Sequence, residues 1–92
     1  FDSFVVDLDA ACDSDELIAR VKNVTESGDV LRIKGFVNVP GKPMRLLVQA
    51  VGARIDHYFD RAWKPDEPRR SRLVVIGVKG IDREKIARSL AA

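Results

Sequence analysis

Cys12 is the only cysteine and His57 the only histidine in this sequence, and these are the side-chain types that zinc sites use most. They are far apart along the chain, and a protein zinc site takes about four ligands, so we predict that this chain holds no metal site of its own. His57 falls between Ile55 and Phe59 on one face of a predicted strand, which favours a packed, hydrogen-bonded histidine. Cys12 has no basic neighbour in sequence to activate its thiol, so we interpret it as a small semi-buried residue.

Motifs for phosphate binding and acid–base catalysis are also missing from the sequence. No glycine-rich segment opens a helix in a P-loop or GxGxxG spacing, and Gly41-Lys42 falls in a predicted hairpin turn. The carboxylates at 13–16 match a helix cap, and those at 66–67 match a solvated loop. Neither Ser14 nor Ser71 has a neighbouring base that would make it a nucleophile. We therefore predict no catalytic and no cofactor-binding residue, and we do not expect this chain alone to be an enzyme.

One segment, Arg61–Arg72, has the composition of a recognition surface. It combines arginines with nearby aromatic side chains, as binding hot spots often do, and two prolines limit its flexibility. We predict that the partner-binding residues of the chain are Tyr58, Trp63, Arg69, Arg70 and Arg72. Two other interpretations stay open. The segment is a solvated loop with Trp63 covering a core edge, or the chain is a small α+β nucleic-acid-binding module that uses Arg61–Arg72.

Hydrophobic periodicity divides the sequence into seven predicted helices and strands. An apolar strand at 3–8 precedes a helix capped by Asp13, and a hairpin then runs from Val30 to Val51 with its turn at 40–43. Another alternating strand covers 54–63, and the apolar run 72–78 indicates a strand buried on both faces near the sheet centre. A last helix starts at Asp82. The predicted fold is an α+β two-layer sandwich in the order β-α-β-β-β-β-α, with two helices on one face of a mainly antiparallel sheet of four to five strands.

Length and composition predict a single globular domain spanning residues 1–92. The chain is 46% hydrophobic and 33% charged, and its formal net charge of +2 is too small to indicate a nucleic-acid or membrane partner. No apolar run approaches the ~20 residues of a membrane span. The single cysteine excludes an internal disulfide and fits a reducing, cytoplasmic location. Because the first residue is Phe1, we expect a piece of a longer protein.

Several stretches of the sequence resemble a known family. The strand LRIKGFV at 31–37, the hairpin stretch PGKPMRLLVQAVG at 40–52 and the strand RLVVIG at 72–77 are similar to the C-terminal domain of the CobW family of P-loop GTPases. The short matches FDR at 59–61, DE at 66–67 and GID at 80–82 fit the same pattern. The resemblance runs from Phe4 to Leu90, and the GKPMRLLVQAVG stretch favours the cobalamin branch.

The resemblance implies an accessory, partner-docking domain whose parent protein carries an N-terminal GTPase domain with a CxCC metal motif. GTP, Mg and cobalt or zinc would then belong to the parent, a metallochaperone that delivers cobalt to cobaltochelatase for cobalamin biosynthesis. The implied partners are the GTPase domain of the same protein and cobaltochelatase, with no membrane. None of the family's catalytic or metal residues maps onto this sequence. Nucleic acid is disfavoured because aromatic residues make up only 7% of the chain.

Overall fold

The computed structural model describes residues 1–8 and 13–91 and confirms the predicted fold class and order. The sheet order is β1-β5-β2-β3-β4, and every neighbouring pair is antiparallel. Cys12 lies outside the described residues. No helix in the described ranges is long and apolar enough to cross a membrane. The elements are β1 (Asp2–Leu8), α1 (Ser14–Thr25), β2 (Val30–Val37), β3 (Met44–Val51), β4 (Arg54–Ala62), β5 (Ser71–Gly77) and α2 (Arg83–Ala91).

Both helices begin at the predicted caps. The Asp13 side chain accepts a hydrogen bond from the backbone N–H of Glu16 at 2.8 Å. The Asp82 side chain accepts one from the backbone N–H of Lys85 at 3.1 Å. Each cap satisfies an N–H that has no partner within the helix, which stabilises the helix by about 1 kcal/mol. Beyond the caps, apolar residues at helical spacing are buried on the side that faces the sheet: Leu17, Val21 and Val24 in α1, and Ile86 and Leu90 in α2.

The core lies between the two helices and one face of the sheet, and every element contributes to it. Strand residues alternate into this layer because successive side chains of a strand point to opposite faces. Gly35 of β2 lets β5 approach closely, since a Cβ at this position would lie 2.0 Å from the backbone oxygen of Arg72. The strand residues of the core include Val6, Ile33, Leu46, Val48, Leu73 and Val75.

β5 is buried on one face only, so the prediction of a strand buried on both faces is wrong. Leu73 and Val75 are fully buried under the helices, whereas Val74 is 40% exposed and Ile76 is half-buried on the other side. A continuous apolar run is typical of a strand covered on both faces, but here both helices pack on the same side. We call the sheet face opposite the helices the open face. It exposes apolar side chains that residues 1–8 and 13–91 leave uncovered.

The edge strand β4 interrupts the alternation predicted for residues 54–63, and its histidine is not packed. The register with β3 shifts at Asp60, which is an extra residue between Phe59 and Arg61. A bulge of this kind inverts the alternation beyond it, so Trp63 belongs to the open face and not to the face of Ile55. His57 is exposed, contrary to the packed histidine that we predicted. This exposure follows from the helix packing, because the helices contact β1, β2 and β3 and cover less of the edge strand β4.

Candidate partner-docking site

A groove of about 630 Å³ lies on the open face, above β5 and β2. Its floor is apolar and consists of Phe36 from β2 with Val74 and Ile76 from β5. The loop between β4 and β5 closes one end with Trp63 and Pro68. Grooves of this size and apolar character are typical of binding sites, which occupy roughly 300–1,000 Å³. We refer to this feature as the groove.

Basic side chains surround the apolar floor. Arg32 and Lys34 alternate with the buried Ile33 along β2, so both stand on the open face, and Arg70 lies at the loop end. Among the described residues, no carboxylate lies within 4.0 Å of these three cations. Arg72 also lines the groove, but it forms an ion pair with Asp7 of β1 at 2.8 Å. The groove therefore combines apolar surface with unneutralised positive charge.

Arg45 of β3 covers one face of the Phe36 ring. Its guanidinium carbon lies 3.5 Å from the ring centroid, within the range of a cation–π contact. The Arg45 Nε donates to Oδ2 of Asp60 at 2.7 Å, and both side chains are largely buried. The bulge residue Asp60 thus holds Arg45 in place. Because the guanidinium already stacks on Phe36, that face of the ring is not available to a second flat group.

The loop at the end of the groove is fixed by an ion pair between Arg61 and Glu67. Nη1 and Nη2 of Arg61 donate to the two carboxylate oxygens of Glu67 at 2.9 and 2.8 Å. The backbone N–H of Lys64 adds a hydrogen bond to Glu67 at 3.2 Å. The Arg61 hydrogen bonds, followed by the Lys64 N–H, lower the pKa of Glu67 to about 2. A bidentate pair constrains orientation as well as distance, so it positions the loop against the sheet.

Trp63 connects this loop to the groove. Its side chain is 9% exposed, and its backbone N–H donates to the carbonyl of Pro43 at 3.2 Å. Within residues 1–8 and 13–91, its indole Nε1 is the buried side-chain polar atom that has no hydrogen-bond partner. Such a group costs about 1–3 kcal/mol. Trp63 is also the single tryptophan of the sequence, so its fluorescence reports on the groove.

The five predicted partner-binding residues do not form one site. Trp63, Arg70 and Arg72 line the groove. Tyr58 lies on the open face but outside the groove lining, and Arg69 lies beside the 38–43 turn of the first hairpin. The part that each of the five takes in binding stays a prediction.

Sequence reasoning missed the residues that β2 and β3 supply, namely Arg32, Lys34, Phe36 and Arg45. A signal was available, because strand alternation already placed Arg32 and Lys34 on the face opposite Ile33. The missing information was that both described helices pack on the other face of the sheet.

Two features of the described residues bear on metal and phosphate binding. Within residues 1–8 and 13–91, no group of three or more His, Cys, Asp or Glu side chains is placed to hold a metal ion. The prediction that Gly41-Lys42 is a hairpin turn is confirmed: Gly41 has a φ of 74°, and the backbone N–H of Lys42 donates to the Val39 carbonyl at 3.1 Å. This turn is not at a helix N-terminus, the geometry that phosphate loops use.

Comparison with known proteins gives a family. Residues 1–92 match the model of the cobalamin synthesis protein cobW C-terminal domain. The chain belongs to this family. It is 55% identical over 92 residues to a protein named Zinc chaperone CobW from a Sinorhizobium species, covering 100% of this chain and 26% of the relative. It is 52% identical over 88 residues to Zinc chaperone CobW from Pseudomonas aeruginosa, covering 96% of this chain and 23% of the relative.

A solved structure agrees with these sequence matches. The crystal structure of Zn(II)-bound YjiA GTPase from Escherichia coli superposes with a TM-score of 0.80 at 33% identity, covering 97% of this chain and 28% of that chain. This chain therefore has the fold of one part of that protein. It spans about a quarter of the length of the relatives that it matches.

Proposed function

We propose that this CobW C-terminal domain is the partner-docking module of a GTPase metallochaperone and that its open face binds the GTPase domain of the same polypeptide. The observation that carries the proposal is the groove, which combines apolar surface with unpaired cations on a sheet face that the two helices leave uncovered. Exposed apolar side chains on one face are typical of an interaction surface. Those around the groove are Val5, Val51, Tyr58 and Val74.

The GTPase domain is the favoured occupant because the relatives carry about three quarters of their length outside the matched region. A covalently linked domain meets the groove at an effective concentration of about millimolar, so even a weak interface is populated. Among the five predicted partner-binding residues, Trp63, Arg70 and Arg72 would contact this domain directly.

In this proposal, nucleotide and metal belong to the rest of the polypeptide. GTP and Mg would be bound by the GTPase domain, and the metal would be the cargo of the full-length protein. The two curated relatives named above are zinc chaperones by name, which favours zinc over cobalt as that cargo. Cobalt delivery, with cobaltochelatase as the client, rests on the family name alone. We also propose a cytoplasmic location, because a chain with a single cysteine fits a reducing compartment.

The proposal is tested by mixing the 92-residue chain with a separately produced GTPase domain of its full-length protein. Calorimetry should detect binding to the unmodified chain and at least about tenfold weaker binding to Arg32→Glu/Lys34→Glu. The matched control is Lys85→Glu/Arg88→Glu, which changes two exposed cations of α2 and alters the net charge equally. Equal losses in the two variants, or no binding to the unmodified chain at about 1 mM of the GTPase domain, would contradict docking through the open face.

A further inference from the structure

We propose that the groove recognises an extended acidic segment of protein, with glutamates at alternate positions. This rests on the proposed function and specifies which kind of surface the partner presents. The groove offers two unpaired cations on one strand and an apolar strip on the neighbouring strand. An extended segment along these strands meets both features at once.

The spacing of the groove side chains defines the segment. Arg32 and Lys34 are two residues apart on one strand face, so their stems are about 6.6 Å apart. Alternate residues of an extended peptide have the same spacing, so two carboxylates can meet the two cations in register. In the sheet, Ile76 is the β5 partner of Arg32, and Val74 is the β5 partner of Lys34. Each cation therefore stands beside an apolar side chain.

Glutamate suits this pairing of charge and apolar surface. Its two methylene groups can pack on Val74 or Ile76 while its carboxylate reaches Lys34 or Arg32, as long charged side chains do on apolar surfaces. The groove extends from Ile76 past Arg72 towards Arg70, and the four residue steps from 72 to 76 measure about 13 Å. A segment of about five extended residues fills this length, and Arg70 provides a third cation at its end.

The aromatic side chains favour a protein ligand over a single-stranded nucleic acid. Nucleic-acid grooves depend on exposed rings, and each stacked base contributes about 1–3 kcal/mol. Here one face of Phe36 is covered by Arg45, and Trp63 is 9% exposed. Within the strands of the open face, Tyr58 is the exposed aromatic side chain, and it lies outside the groove lining. Phe1, which precedes β1, is also exposed and does not line the groove.

The test uses the 92-residue chain and a capped hexapeptide of alternating glutamate and valine. Backbone amide shifts in ¹H–¹⁵N spectra should change in β2 and β5 around Lys34 and Val74 and stay constant in α1 and α2. Trp63 fluorescence should change with the same midpoint. Because the peptide contains no aromatic residue, this signal comes from the chain alone. A hexapeptide of alternating lysine and valine serves as the charge control. No shift at about 5 mM acidic peptide, or shifts centred on the helices, would overturn the proposal.

Charge reversal makes the test specific. Arg32→Glu/Lys34→Glu should bind the acidic hexapeptide at least about tenfold more weakly and should gain affinity for the lysine hexapeptide. The helix variant Lys85→Glu/Arg88→Glu, which has the same net charge, should bind like the unmodified chain. If both variants lose affinity equally, only bulk charge is being measured, and the proposal is wrong.

Other occupants give different results. Tighter binding of an oligothymidine than of the acidic hexapeptide, with affinity falling steeply as salt rises, would assign the groove to nucleic acid and overturn the proposal. Self-association of the chain that is lost in Arg32→Glu/Lys34→Glu would assign the groove to a second copy and would also overturn the proposal. The acidic-segment proposal fails alone if the GTPase domain docks without competition from the acidic hexapeptide. The proposed function fails alone if the hexapeptide binds in the groove and the GTPase domain does not bind.

Discussion

Two adjacent residues of β5, Val74 and Val75, provide a matched test of the sheet faces. Val75 is fully buried under the helices, whereas Val74 is 40% exposed in the groove. The same substitution, valine to aspartate, should therefore have opposite consequences at the two positions. Val75→Asp should unfold or strongly destabilise the domain, and Val74→Asp should leave the fold intact while placing a negative charge in the groove.

The size of the difference follows from burial. Val75→Asp removes apolar burial that stabilises the fold by about 1.5–3 kcal/mol. It also leaves a polar group unpaired in the core, which costs about 1–3 kcal/mol or more. A chain of 92 residues has a total stability of about 5–14 kcal/mol, so this variant loses a large share of it. Val74→Asp changes strand propensity by at most about 1 kcal/mol, and its neighbour Lys34 offsets part of that through a cross-strand charge pair.

Thermal unfolding monitored by circular dichroism measures both effects. In a domain of this size, 1 kcal/mol corresponds to roughly 4–8 °C in Tm. Val74→Asp should stay within about 8 °C of the unmodified chain, whereas Val75→Asp should fall by more than about 12 °C or fail to fold. Val74→Asp should also bind the acidic hexapeptide less tightly. Similar losses of Tm in the two variants would refute the assignment of an open and a covered face.

Three further predictions concern packing, pH and nucleotide. Gly35→Ala should destabilise the domain by about 1–3 kcal/mol or more in urea unfolding, because its Cβ would meet the Arg72 backbone; an unchanged midpoint would contradict this close approach. The folded-state pKa of Glu67 is about 2, below its ordinary value of 4.5, so its pair with Arg61 contributes stability above about pH 4.5 that is lost as pH falls towards 2. The free energy of unfolding of Glu67→Gln should therefore fall less steeply between pH 4.5 and pH 2 than that of the unmodified chain. Equal slopes would show that the Arg61–Glu67 pair does not contribute to stability. Finally, the isolated chain should bind neither GTP nor Zn²⁺ in calorimetry; a micromolar site for either would show a function that our interpretation omits.

The fold was largely predictable because its signals are local. Helix α1 has its cap residue, Asp13, directly before its apolar stripe, and the first hairpin has a proline–glycine turn between two alternating strands. These signals depend on neighbours in sequence and therefore survive without knowledge of the tertiary structure.

The candidate site was only partly predictable because it depends on contacts between distant segments. Val74 comes to lie beside Lys34 only because β5 inserts between β1 and β2, and periodicity carries no information on strand order. The bulge at Asp60, which turns Trp63 towards the open face, also has no clear sequence signal. The apolar run of β5 has the pattern of a strand covered on both faces, and the described residues cover only one of its faces.

Lysine labelling of the full-length protein tests the central claim most directly. Lys34 lies in the groove, and Lys85 is exposed on α2, away from the open face. If the open face docks the GTPase domain, Lys34 should react with an acylating reagent several-fold more slowly in the full-length protein than in the 92-residue chain, and Lys85 should react at the same rate in both. Equal reactivity of Lys34 in the two proteins, measured by mass spectrometry, would contradict the account.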